Sequence, residues 1–277
     1  MGAQMHKFFI FLLFLVGCFS ELHAQMHILV SIAPQKYLVE RIGGQQVSVE
    51  VLVPPGANSH TYEPTTKQML AAQKGEIWFR IGESFENRML AVLSKTHIVD
   101  QREGLDLIQA GCGCCTRDAH DPHIWLSPRL LKVQAAQIAQ ILCEHDPTHA
   151  EFFKKNLILL DHDCTELDSK CTALFRNQRQ TLILVSHPAF GYFCRDYGLE
   201  QLSVEMEGRE PTPRYVTNLI EHARARGVKT VFLQQQHNPK GGKRIAQELR
   251  AKTIYIDPYV EDVLANLWSI ARWFSQP

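Results

Sequence analysis

Short apolar runs alternate along the chain with segments in which apolar residues recur every three or four positions. The short runs predict β-strands and the recurring pattern predicts amphipathic helices. The predicted strands cover residues 28–32, 47–53, 77–81 and 97–100 in the first half, and 182–186, 202–205, 230–233 and 253–256 in the second. The predicted helices cover residues 35–42, 65–73, 128–143, 214–225, 243–251 and 261–274. This alternation predicts an α/β fold with mostly parallel sheets flanked by helices.

A longer helical pattern lies between the two halves, at residues 148–177, and contains neither glycine nor proline. Its apolar positions are spaced three and four residues apart from Ala150 to Leu174, and a helix of this length would be about 43 Å long. The pattern predicts two α/β lobes joined by one long rigid helix. The predicted division is an export signal at 1–25, an N-terminal lobe at 26–144, the linking helix at 145–177 and a C-terminal lobe at 178–277.

Near the N-terminus, Lys7 precedes an apolar run at residues 8–16, which is shorter than the roughly 20 residues of a membrane-spanning helix. This pattern is typical of an export signal. Two cleavage sites remain open. One is a lipobox with acylation of Cys18, and the other is ordinary cleavage after Ala24. Both predict a periplasmic or membrane-anchored extracytoplasmic protein.

The charge balance argues against one class of partner. Lys and Arg number 29 and Asp and Glu number 29, so the net charge is zero and no basic footprint predicts a nucleic-acid partner. The 13 histidines and 8 cysteines prompt a search for metal sites and disulfides. Cys164 and Cys171 lie about 10.5 Å apart along the predicted helix, too far for a mutual disulfide, and are expected to be core thiols. Three further cysteines lie close together in the chain, at Cys112, Cys114 and Cys115. We expect a disulfide to pin the loop that carries them, rather than a site for soft metal ions.

Four polar residues are candidates for a shared site. His60, His187 and Asp257 follow predicted strands, and His123 precedes the helix predicted at 128–143. Because ligands of open α/β sheets bind outside the carboxyl ends of the strands, these side chains are more apt to meet than residues chosen at random. Spacing alone carries no weight in a chain with 13 histidines.

Local motifs around these residues are more specific. The chain reads SHTYEPT at 59–65, DPHIWLSP at 121–128, SHPAFGY at 186–192 and Asp-Pro at 257–258. In this order they resemble the zinc/manganese-binding solute-binding proteins of ABC importers, over residues 27–274. The resemblance implies two α/β lobes bridged by a rigid helix and a set of four metal ligands: His60, His123, His187 and Asp257.

Three imidazoles and a carboxylate suit zinc and other transition metals rather than magnesium or calcium. Four protein ligands close a tetrahedral zinc site without a position for catalytic water, so no catalytic residue and no resident cofactor are expected. Zinc is the favoured cargo because some manganese-binding relatives have Glu where this chain has His187, and manganese or iron remains an alternative. The expected function is capture of the ion between two lobes and its delivery, by a monomer, to the membrane permease of an ABC importer.

Two other functions stay open, a zinc-dependent hydrolase and a surface adhesin with a metal site. The chain has no His-Glu-x-x-His helix for the first, and nothing in its sequence specifically supports the second. Near the ligand motifs, Ser127 is expected to cap a helix and Gln234 to remove a negative charge that relatives often carry. His237 is expected to be a surface residue rather than an auxiliary ligand, and His120 a weak substitute for His123.

Overall fold

The computed structural model describes residues 25–109, 120–178, 181–205 and 211–276. The predicted export signal with both cleavage alternatives, and the loop with Cys112, Cys114 and Cys115, lie outside the described residues. Within these ranges no helix combines the length and the apolar character that crossing a membrane requires.

The N-terminal lobe contains a parallel sheet of four strands in the order β2-β1-β3-β4. Its strands are β1 Met26–Val30, β2 Val47–Val51, β3 Ile77–Arg80 and β4 His97–Asp100. The lobe's helices are α1 Ala33–Gly43, α2 Thr66–Ala72, α3 Glu86–Leu90 and α4 Pro128–His145. Strands β1 and β3 are almost wholly buried, as the apolar runs predict for strands covered on both faces.

The C-terminal lobe repeats this arrangement, with a parallel sheet in the order β6-β5-β7-β8. Its strands are β5 Leu182–Val185, β6 Glu200–Ser203, β7 Thr230–Gln234 and β8 Lys252–Ile256. The helices of this lobe are α6 Gly191–Tyr197, α7 Pro213–Ala225, α8 Lys240–Leu249 and α9 Val263–Phe274. The predicted α/β class with parallel sheets is confirmed in both halves.

The long helix α5 covers Ala150–Phe175 and joins the two sheets. It begins two residues later than predicted, because Asp146 caps a separate 3-10 turn at Pro147–His149. Cys164 and Cys171 lie on its buried side as free thiols, which confirms that they are core residues. Burial raises the pKa of both thiols to about 12, so both remain protonated and unreactive at neutral pH.

One connected apolar core underlies both lobes. Its buried residues come from both sheets and from helices that include α1, α4, α5, α6 and α9, with Ile138, Phe153, Leu160, Phe193 and Phe274 among them. A second, smaller cluster packs α7 and α8 against the other face of the C-terminal sheet. The linking helix is therefore packed along its length rather than standing free between the lobes. The residue boundaries given for the lobes remain a prediction.

Adjacent leucines on α5 test this packing. Leu160 is fully buried, whereas 54% of Leu159 is exposed. We expect Leu160→Ala to lower the free energy of unfolding by about 2–5 kcal/mol, because it removes buried methyl groups and leaves a cavity in the shared core. Leu159→Ala, the matched control, should change it by less than about 0.5 kcal/mol. Equal losses in urea-unfolding experiments would show that α5 does not pack as described.

Candidate metal centre

The carboxyl ends of both sheets supply the candidate residues. His60 lies in the loop after β2, and His187 lies two residues after β5 ends at Val185. His123 begins a buried 3-10 turn, Ile124–Leu126, that leads into α4. In each lobe the chain leaves the first strand for one neighbour and returns to the other side, which creates a crevice at the strand ends. The two crevices face each other across the site.

Three of the predicted residues converge through one ring atom each. Nε2 of His60 lies 3.2 Å from Nε2 of His123 and 3.1 Å from Nε2 of His187. A tetrahedral zinc ion with Zn–N bonds of about 2.05 Å requires ligand nitrogens about 3.3 Å apart. The observed separations are close to that spacing.

Each of these three rings is held at its other nitrogen by a carboxylate. Nδ1 of His60 lies 2.9 Å from Glu83, Nδ1 of His123 lies 2.6 Å from Asp121, and Nδ1 of His187 lies 3.2 Å from Glu205. An ionised carboxylate only accepts hydrogen bonds, so each Nδ1 carries the hydrogen and donates the hydrogen bond. Nε2 of a neutral ring then carries the lone pair, which is the carboxylate–histidine arrangement of metal sites.

In the pair formed by His60 and Glu83, electrostatics favours a charged imidazole ring. Burial favours the neutral form of His60, but the hydrogen bond to Glu83 and the charge of that carboxylate outweigh it and raise the pKa of His60 above its ordinary value. Burial would likewise raise the pKa of Glu83, but its hydrogen bonds with His60 and Ser59 lower it. Glu83 is therefore ionised at neutral pH despite being only 2% exposed.

In the pair formed by His187 and Glu205, the imidazole ring is instead neutral. Burial dominates at His187 and, against the hydrogen bond to Glu205, lowers the pKa of the ring to about 3. Glu205 would have its pKa raised by burial, but hydrogen bonds from His187 and His237 lower it to about 2. His187 is therefore neutral over the whole physiological range and keeps its Nε2 lone pair.

Asp257, the fourth predicted ligand, directly follows β8. Its carboxylate is not part of the cluster that the three histidines form. Its Oδ1 accepts hydrogen bonds from Nε2 of Gln236 and from the backbone N–H of Tyr259, both at 2.8 Å. Tyr259 in turn shares a hydrogen bond with Ser59, the residue before His60. Asp257 is thus held at the edge of the site by one carboxylate oxygen.

His237 is not the surface residue that the sequence suggests. Its side chain is only 6% exposed, and its ring stacks on His187 with centroids 4.1 Å apart. Its Nδ1 lies 3.1 Å from the Glu205 oxygen that also holds His187. The expectation was wrong because the turn after β7 folds inward over the crevice. His120 pairs with Gln109 in an isolated bridge and joins neither of the side-chain clusters that could hold a metal ion among the described residues.

Two further expectations concern residues beside the ligands. Ser127 is the N-cap of α4 and accepts a hydrogen bond from the backbone of Leu130, which confirms the predicted capping role. Gln234 does more than remove a charge, because its side chain hydrogen-bonds both the backbone N–H and the carbonyl of His187. Its Oε1 accepts from the N–H of His187 at 2.9 Å, and its Nε2 donates to the carbonyl at 2.6 Å.

The sequence interpretation missed the supporting carboxylates Glu83 and Glu205. A signal was present, because Glu83 follows β3 by three residues and Glu205 follows β6 by two. The strand-end argument applied to His60 and His187 covers both of them equally. Asp121 was part of a recognised motif, but its bond to His123 was not foreseen.

Glu83 provides a test of how the rings are supported. We expect Glu83→Gln to weaken zinc binding at pH 7.5 by about 10–100-fold, the usual effect of removing an outer carboxylate partner. The amide keeps the shape of the side chain, so the melting temperature of the metal-free protein should change little. A competition titration against a chromophoric chelator measures the affinity. Unaltered affinity would mean that Glu83 does not orient His60.

Comparisons with known proteins identify the relatives of this chain. The family described as ZnuA, zinc-uptake complex component A, periplasmic, matches residues 28–266. A putative metal-binding protein of Chlamydia muridarum is 34% identical over 258 residues, which cover 92% of this chain and 93% of the relative. The high-affinity zinc uptake system protein ZnuA of Bacillus subtilis is 23% identical over 245 residues, covering 83% of this chain and 77% of its own length.

Solved structures with the same fold are also found. A crystal structure of ZnuA superposes with a TM-score of 0.85 at 34% identity, covering 91% of this chain and 99% of the other. The zinc-bound structure of a ZnuA deletion mutant gives the same TM-score and identity, covering 91% of this chain and 97% of the other. The family's members are substrate-binding proteins of metal transport and not enzymes. This chain belongs to the ZnuA family of metal-binding proteins that serve ABC importers.

Proposed function

We propose that the protein captures one Zn²⁺ ion between its lobes through Nε2 of His60, His123 and His187. The convergence of these three nitrogens, each backed by a carboxylate, is the observation that carries the proposal. With neutral rings, the Nε2 lone pair of His60 lies about 3 Å from that of each other ring, and a positive charge between the rings removes this repulsion. A metal ion supplies that charge, and a proton shared between the rings supplies it when the ion has left.

Asp257 is the fourth ligand in this proposal. Both hydrogen bonds described for its carboxylate group are accepted by Oδ1, so Oδ2 is the oxygen that would bind the ion. Binding of the ion requires this oxygen to approach the three nitrogens. His60 and His123 belong to the N-terminal lobe, and His187 and Asp257 to the C-terminal lobe. Separation of the two pairs would then release the ion.

Zinc is the favoured cargo, with manganese or iron as the alternatives. A set of three imidazoles and one carboxylate matches the preference of zinc for nitrogen-rich tetrahedral sites. The names of relatives point the same way, since those from Bacillus subtilis and Streptococcus pyogenes are called zinc uptake or zinc-binding proteins.

The ion is delivered to the permease of an ABC importer from outside the cytoplasm, by a protein that acts as a monomer. The export signal and the periplasmic description of the family support this location. Acylation of Cys18 would anchor the protein to the membrane and remains part of the proposal. The hydrolase and adhesin alternatives are not favoured, because the family is a transport family and no part of this site specifically supports either one.

The test is elemental analysis of protein purified from its own exported compartment without added metal or chelator. We expect about one zinc ion per chain and no turnover of ester, peptide or phosphate substrates. Recombinant protein is unsuitable, because contaminating zinc outcompetes other divalent ions at such a site. About one manganese or iron ion per chain would overturn the choice of zinc. A chain that carries no metal and takes up none on titration would overturn the carrier function.

A further inference from the structure

A chain of hydrogen bonds joins the loop that carries His60 to the opposite sheet. Ser59 lies in the loop after β2 of the N-terminal sheet, and Tyr259 follows β8 of the C-terminal sheet. The hydroxyl oxygens of Ser59 and Tyr259 lie 2.7 Å apart, and that of Ser59 also lies 2.7 Å from Oε1 of Glu83. The other oxygen of Glu83 holds Nδ1 of His60 at 2.9 Å. The end of β8 is thus connected to the His60 ring through three side chains.

The direction of these hydrogen bonds follows from the charge of Glu83. The ionised carboxylate can only accept, so the single hydrogen of the Ser59 hydroxyl points to Glu83. The Ser59 oxygen is then an acceptor, and Tyr259 donates the hydrogen between the two hydroxyls. Burial raises the pKa of Tyr259, so its hydroxyl keeps that hydrogen at neutral pH. A donor at this end of the chain polarises Ser59 and strengthens its bond to Glu83.

The segment that contains Tyr259 is held by the N-terminal lobe at a second point. Nε1 of Trp125, two residues after His123, donates to the carbonyl of Pro258 at 2.9 Å. The rings of Trp125 and Tyr259 pack with their centroids 5.4 Å apart. Both N-terminal histidines of the cluster therefore have a close neighbour in the chain that is bonded to this segment.

Tyr259 also belongs to the surroundings of Asp257. Its backbone N–H donates to Oδ1 of Asp257, while its hydroxyl donates to Ser59. The two partners of the hydroxyl bond follow strands of different sheets, so the bond must break when the lobes separate. Tyr259 therefore makes a contact that exists only while the lobes are together.

We propose that Tyr259 is a positioning residue whose hydroxyl holds the His60 loop against the C-terminal sheet and thereby slows release of the ion. The inference rests on the proposed function, because it needs a zinc ion bound between the lobes. Tyr259 does not bind the ion but acts through Ser59 and Glu83 on the ring of His60. Its bond to Ser59 adds to the barrier for release. Loading precedes formation of this bond and does not depend on it.

Stopped-flow measurements on the full chain test this role, with loading from Zn²⁺ alone and release to excess chelator. Tyr259→Phe removes only the hydroxyl, because the remaining ring still packs on Trp125. We expect release to become about tenfold faster, at the lower end of the effect of an outer partner, with the loading rate unchanged. An unchanged release rate would overturn the proposal, and so would loading that slows as much as release accelerates.

Tyr255→Phe is the matched control for this substitution. Tyr255 lies on β8, is 44% exposed and has its ring beneath Lys243 rather than at the site. Loss of its hydroxyl should alter neither rate. Faster release in this variant as well would show that the effect at Tyr259 is not specific, and would contradict the proposal.

A double-mutant cycle with Ser59→Ala determines whether Tyr259 acts through the chain of hydrogen bonds. Ser59→Ala alone should accelerate release at least as much as Tyr259→Phe, because it interrupts the chain in the middle. Adding Tyr259→Phe to Ser59→Ala should then cause no further acceleration. Effects that multiply would show that the two hydroxyls act independently, which would refute the chain.

The outcomes separate the two proposals. If the unaltered protein binds no Zn²⁺, the carrier function fails and the role of Tyr259 fails with it. If the protein binds one ion and its release does not respond to Tyr259→Phe, the positioning role alone is refuted.

Discussion

Alanine in place of His123 is expected to weaken zinc binding by more than about 100-fold, because loss of a direct ligand exceeds the 10–100-fold effect of losing an outer partner. The side chain is nearly fully buried, so no other residue of the turn can take its position. His60→Ala, His187→Ala and Asp257→Ala are expected to act in the same way. A 100-fold loss corresponds to about 2.7 kcal/mol of binding free energy. Competition titrations at pH 7.5 give the dissociation constants.

The control for this series is His222→Ala on the surface of the C-terminal lobe, where the imidazole pairs with Glu200 outside the site. It should bind zinc with normal affinity. Similar small losses in all five variants would refute the ligand assignment. A large loss in the histidine variants but none in Asp257→Ala would retain the cluster and remove Asp257 from it.

Acidification below the pKa of His60 is expected to weaken zinc binding and release the ion. The pKa of His60 is raised, so below that pKa the ring holds a proton that must leave before Nε2 can bind zinc. Competition by one proton lowers the apparent affinity about tenfold for each pH unit below the pKa of His60 and has no effect well above it. His187, with its pKa lowered to about 3, is neutral across this range and does not add to the slope.

Calorimetric titration in two buffers of different ionisation enthalpy measures this proton directly. About one proton should be released per zinc ion bound at the acid end of the range. Glu83→Gln provides the control, because removing the carboxylate lowers the pKa of His60 and moves the loss of affinity to more acid pH. Equal affinity of the unaltered protein at pH 5.5 and 7.5 would contradict the mechanism.

The sequence was sufficient for the regular parts of the fold. All eight predicted strands occur, with ends within two residues of those observed. The signal is strongest for β1, β3, β5 and β7, which are apolar runs and mostly buried. Helices α3 and α6 were missed, and α3 has only five residues, too few for a periodic pattern. Helix α8 was predicted to begin at Lys243 but begins at Lys240. Glycine disfavours helices, yet Gly242 is needed there because a side chain at that position would overlap Leu233.

The candidate site was predictable as far as strand ends and motifs reach. Three of the four proposed ligands are brought together, while the position of Asp257 depends on Gln236 and Tyr259, whose contacts no sequence pattern reveals. The burial of His237 also could not be predicted from the sequence. Its burial results from the path of a turn after β7, and only the packed structure shows that one carboxylate serves two stacked rings.

The shared apolar core beneath both lobes has a consequence for the fate of the protein outside the cell interior. Because α1, α4, α5 and α9 bury side chains in one cluster, unfolding of either lobe exposes apolar surface of the other. Free energy gained by binding an ion at the crevice is therefore added to the stability of the whole chain, in proportion to the logarithm of the ion concentration over the dissociation constant. Extracellular proteases act on opened chains, so a loaded carrier would outlive an unloaded one, and metal scarcity would shorten the lifetime of the protein itself.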